Sequence, residues 1–132
     1  MILRLLSALG AGAIGLGLSP VQAHPSYAMF DLTVEMVMTV VVERFDFTIP
    51  HSWLHVTVIE PDGEARQIAL EMEGVPELYR QGIRGDFVAP GETLTIRANP
   101  MRGNRPGGLW RGSVDAEGNR YGEAEGLDPP AQ

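Results

Sequence analysis

The 132 residues allow one small domain, and the absence of cysteine excludes disulfides, thiolate metal sites and cysteine nucleophiles. A formal charge of −7, with an arginine at each of the ten cationic positions, opposes a phosphate backbone and supplies no basic patch for anionic lipid. No nucleic-acid partner is expected.

"MILR" gives one positive charge, "LLSALGAGAIGLGL" is apolar, and "SPVQA" ends on small residues. Charged start, apolar middle and small-residue exit are the pattern of a secretory signal peptide. The apolar run of about 14 residues is short of the roughly 20 that a permanent span needs. The expectation is cleavage near Ala23–His24, a periplasmic or secreted protein, and no stable membrane insertion afterwards. His24 would then carry the free α-amine. The predicted division is 1–23 signal peptide, 24–121 barrel domain and 122–132 disordered tail.

"DLTVEMVMTVVVERFDF" alternates, with Val34, Met36, Met38, Val40 and Val42 on one face and Glu35, Thr39 and Glu43 on the other. That is the period of a strand, and the β-branched content agrees. "WLHVTVIE" is a second strand, with Leu54, Val56 and Val58 facing one way and Trp53, His55, Thr57 and Ile59 the other. "PDGE" turns the chain into a third strand, "ARQIALEME". "VPELYRQGIRG" reads as a short helix stopped at Gly82, and "APGE" turns into a fourth strand, "TLTIRANP". After the "MRGNRPGG" loop, "LWRGSVDAEGNRYG" is a fifth strand with a turn, and the tail has too few apolar residues to pack. Three strands, a helix and two strands is the order of a five-stranded OB-type barrel. The predicted fold is all-β with one short helix, the alternative being a two-layer β-sandwich.

Five separated motifs keep their order: "HPSYAMFD", "FDFTIPHSWLHVTV", "LEME", "LYRQGIR" and "VAPGETLTIRANPMRGNRPGG". Together they resemble family 6152 of domains of unknown function, small exported bacterial proteins. The resemblance implies export and a small OB-like barrel and brings no established activity. His24 and His51 match the family pattern. Pro25 stands where a second histidine is usual, and Ile49 stands where an asparagine precedes the Pro-His pair.

A histidine at a free N-terminus chelates through its α-amine and ring, and a second histidine completes a set of three nitrogens. This histidine brace suits copper(II), which favours tetragonal nitrogen ligation. His24 and His51 are the candidate metal ligands, with His55, Asp31 and Met29 as secondary ones. The other N-terminal copper motif is excluded, because Pro25 lacks an amide proton and Ser26 occupies the third position. His51 and His55 are four residues apart, about 13 Å along a strand, which separates them as ligands of one ion. Glu71 and Glu73 share a strand face and read as a solvated pair, and Ser52 beside His51 has the wrong geometry for a nucleophile and base. No catalytic set emerges. The expectation is a binding protein rather than an enzyme, taking a copper ion. The alternative is a metal-free ligand- or protein-interaction module of the envelope, using the face that bears Trp53, His55 and Trp110.

Overall fold

A computed structural model describes residues 25–132. The expected signal peptide, its cleavage point and His24 lie outside the described residues. A 3-10 turn over Pro25–Met29 leads into β1 (Met36–Asp46), β2 (Ser52–Ile59) and β3 (Ala65–Met72). A short helix, α1 (Val75–Arg80), then precedes β4 (Thr93–Pro100), β5 (Gly108–Asp115) and β6 (Arg120–Gly122).

The strands form because one face of each can be buried. β2 alternates buried and partly exposed residues along its whole length, with Leu54, Val56 and Val58 inside. β1 does the same with Met36, Met38, Val40 and Val42, until an extra residue at Glu43 shifts the register against β2. That bulge reverses the parity and turns Phe45 towards the core. β2 and β3 form the predicted hairpin across the Pro61–Glu64 turn, pairing Ile59 with Ala65 through to Ser52 with Met72.

β1 also pairs antiparallel with β4, and β4 with β5. β5 then runs parallel to β3 at Leu70–Gly108 and Glu71–Leu109, which closes the circuit β1-β2-β3-β5-β4. Closure requires Gly108, where a Cβ would stand 2.5 Å from the Asn99 carbonyl oxygen. The closed circuit, with its helix between β3 and β4, is the predicted OB-type barrel rather than the sandwich. Inside it Val40, Leu54, Val56, Leu70, Leu94 and Ile96 have no exposed surface. Burying each such side chain contributes about 1.5–3 kcal/mol.

Helix α1 ends where Gly82 takes φ 81°, with the Gly82 and Ile83 amides donating to the Tyr79 and Leu78 carbonyls. This is a Schellman cap, and its apolar pair, Leu78 and Ile83, is fully buried in the barrel core.

Two expectations are corrected. The fifth strand is two, since β5 and β6 pair as a hairpin around the turn that Asp115 braces. The final residues, expected not to pack, bury Ala124 and Leu127 against Val114. Hydrogen bonds rather than hydropathy hold them: Arg97 donates to the Glu123 and Glu125 carbonyls, and Arg120 to that of Ala124. Among the described residues, no helix is long and apolar enough to cross a membrane.

Candidate functional site

His51 precedes β2 in a turn that is fixed from several sides. The Thr48 hydroxyl donates to the His51 carbonyl at 2.8 Å, and the buried Ser52 hydroxyl donates to the Thr48 carbonyl while accepting its amide. The Ser52 hydroxyl thus ties the turn to the Thr48 backbone through both bonds. The Ser52 amide donates to the Glu73 carbonyl at 3.1 Å, which joins the turn to the end of β3. Next to it, Gly74 passes so close to Pro50 that a Cβ would lie 2.4 Å from the Pro50 carbonyl oxygen.

This packing delivers two carboxylates to one end of the barrel. Glu71 is almost fully buried, and its oxygen lies 2.5 Å from Nδ1 of His51. Burial pushes the Glu71 carboxyl above its ordinary range, with the neighbouring Glu73 charge adding and His51 opposing. Glu73 accepts a hydrogen bond from the Tyr27 hydroxyl. That bond, burial and the charges of Glu73 and Glu71 push the Tyr27 phenol up to about 12, with Arg111 opposing. The expectation of a solvated Glu71–Glu73 pair is thus corrected, because each carboxylate has a specific partner. The hairpin register carries the missing signal: Ser52 opposite Met72 sets His51 beside Glu71 and Glu73.

An arginine-based polar cluster lies against this end. Arg111 donates to Asn99 at 3.0 Å and also pairs with Glu123, while Asn99 donates to the Val34 carbonyl at 2.7 Å. Tyr27, Leu32, Glu73, Trp110, Arg111 and Glu123 border a cleft of about 260 Å³.

The remaining candidates go elsewhere. His55 sits on the outer face of β2, where Nε2 is 3.0 Å from Asp46 and 2.9 Å from the Arg44 guanidinium. Arg44 also grips Asp46 through two bonds, which holds that carboxyl below its usual range, with His55 adding. Asp31 accepts from the hydroxyl and amide of Thr33, and these bonds lower its carboxyl. Met29 is 40% exposed in the N-terminal turn. Trp53 is 37% exposed, cross-strand from both Asp46 and Glu71, but Trp110 is 6% exposed and belongs to the core. Its indole N–H has no partner among the described residues. The expected shared face of Trp53, His55 and Trp110 therefore does not exist, because the register shift of β5 at Arg97–Ala98 accompanies an inward Trp110.

Among the described residues, no group of three or more histidine, aspartate or glutamate side chains is arranged to hold a metal ion.

Fold and site define a small all-β barrel with one short helix and a histidine–carboxylate pair at one end. The chain belongs to the family of unknown function DUF6152, whose model matches residues 14–110. No curated protein and no solved structure matches it.

Proposed function

We propose that this is an exported copper-binding protein, working in metal handling rather than catalysis, which holds copper(II) through the α-amine and ring of His24 and Nε2 of His51. One observation carries the reading: Nδ1 of His51 is taken by the buried Glu71. A carboxylate on one ring nitrogen fixes the tautomer, orients the ring and leaves the other nitrogen to ligate. The His51 side chain is 32% exposed. His24 supplies the ligand that the described residues lack. It is three residues before Tyr27, a reach of at most about 11 Å from a residue bonded to the same strand end. At neutral pH its amine and ring lose their protons to a metal at modest cost.

Copper(II) titration of the chain beginning at His24, with His51→Ala beside it, tests the reading. Loss of tight binding in the variant, with its circular dichroism spectrum retained, is expected. Equal affinity in both sinks it.

A second reading, a metal-free ligand- or protein-interaction module of the envelope, is favoured by a different observation. The half-exposed Trp53 stands two residues from His55, which borders an open cleft of about 640 Å³ with Glu43, Arg44, Gln67 and Pro106. That reading expects no specific metal affinity, and it expects loss of a captured partner in Trp53→Ala.

A further inference from the structure

The outer face of β1, β2 and β3 is built in rows. Arg44, His55 and Ala69 lie side by side across the three strands, with Thr57 and Gln67 in the row on one side and Asp46 and Trp53 in the row on the other. Glu43, Arg44, His55, Gln67 and Ala69 border the cleft of about 640 Å³, and Pro106, from the loop between β4 and β5, closes one side. Gly107 fixes that loop against β3: its φ is 110°, and a Cβ there would lie 2.8 Å from the Ala69 carbonyl oxygen.

The charges on this face are already matched to one another. Nε and Nη2 of Arg44 bind Asp46, Nη2 also reaches Nε2 of His55, and one Glu43 oxygen accepts from the Thr57 hydroxyl at 2.6 Å. Nη1 of Arg44, Nδ1 of His55, the second Glu43 oxygen and the exposed Gln67 amide have no hydrogen-bond partner among the described residues. Donors and acceptors are thus intermixed on planar groups around one cleft. A sugar hydroxyl, which both donates and accepts, matches such a set. An apolar ligand would leave the same groups unpaired. A phosphate chain is opposed, because Glu43 and Asp46 outnumber Arg44 and the whole chain carries −7. Barrels of this type bind oligonucleotides or oligosaccharides, and this charge balance favours the second. Trp53 shares the face with His55, about 7 Å along β2, and offers an exposed indole. Its π-system attracts the C–H bonds that make up the apolar side of a sugar ring.

We propose that this face binds a neutral glycan chain, with Trp53 stacking on one sugar ring and Arg44, His55 and Gln67 hydrogen-bonding hydroxyls in the cleft. The proposal rests on the second reading above, to which it gives a ligand class, and it is independent of copper.

The experiment titrates the full chain, kept metal-free by a chelator, with maltohexaose, cellohexaose and chitohexaose, followed by amide chemical shifts. A thymidine hexanucleotide serves as the charged comparison. Saturable shifts on β2 and β3 around His55 and Gln67 are expected with at least one hexasaccharide and not with the oligonucleotide. Trp53→Ala is expected to bind that sugar about tenfold more weakly, and Gln67→Ala about fivefold, each with its circular dichroism spectrum retained. Equal affinity in both variants overturns the proposal, as does saturable binding of the oligonucleotide instead. No shift with any hexasaccharide also overturns it, and protein capture from an envelope extract then separates the two claims. Capture that Trp53→Ala abolishes leaves the interaction-module reading standing without its glycan. With no such capture, both fall.

Discussion

His51 and His55 stand four residues apart at one strand, and each has a carboxylate within 3.0 Å. Their surroundings differ in almost every other respect. Glu71 is 7% exposed and has a histidine but no arginine ion pair among the described residues, whereas Asp46 is 34% exposed and gripped by Arg44. Burial raises the Glu71 carboxyl, and Arg44 lowers that of Asp46. The contrast teaches that a histidine–carboxylate pair gains a chemical role from what else is nearby. At His55 a permanent cation 2.9 Å from Nε2 opposes any metal ion at that nitrogen. At His51 the buried Glu71 carboxylate lies on Nδ1, and no arginine pairs with that carboxylate among the described residues.

The largest effect that would break this comparison is on copper. Glu71→Gln is expected to weaken copper(II) binding by about ten- to a hundredfold, the usual consequence of losing a ligand's hydrogen-bonded carboxylate. Asp46→Asn should leave the affinity unchanged in the same titration. Equal effects from the two would erase the distinction between the sites.

A smaller effect appears without metal. Removing His51 leaves Glu71 buried without its partner, so His51→Ala is expected to cost about 1–3 kcal/mol of unfolding free energy at neutral pH, measured in urea. His55→Ala, on an exposed face, should stay within about 0.5 kcal/mol. The pH dependence fixes the origin of the difference. A carboxyl raised in the folded state favours folding below its ordinary value of 4.5 and loses that contribution as pH rises through the folded value. The destabilisation of His51→Ala should therefore grow with rising pH and shrink below that range. A cost independent of pH would point to lost packing instead.

The smallest effect concerns the arm. The Tyr27 phenol is raised from 10.0 to about 12, so its contribution is complete below pH 10 and is lost as pH rises through about 12. Wild type should lose stability over that interval more steeply than Tyr27→Phe, followed by circular dichroism beside tyrosinate absorbance. Identical alkaline profiles would remove Tyr27 from the fold's anchoring.

Sequence reasoning reached the barrel because β1 and β2 each bury one face, and alternation such as Leu54–Val56–Val58 records that directly. It failed where structure rests on few residues or on backbone bonds. β6 has three residues, too few to show a period. The tail offers little more than Ala124 and Leu127 to a hydropathy scan, while Arg97 and Arg120 hold its carbonyls. Trp110 turns inward beyond a register shift that no local pattern announces. At the site, His51 stood out by its residue type, but its partner did not. Glu71 next to Met72 and Glu73 reads as one of a solvated pair until the hairpin register and the passage of Gly74 beneath Pro50 bring it under the histidine.

The central claim concerns one amine. Copper(II) titration with electron paramagnetic resonance should compare the chain beginning at His24 with the same chain carrying one extra glycine before it. The account predicts tight binding and an axial, nitrogen-rich spectrum that are both lost on adding the glycine, since the added residue separates the terminal amine from the His24 ring. Equal affinity and equal spectra in the two proteins would contradict it.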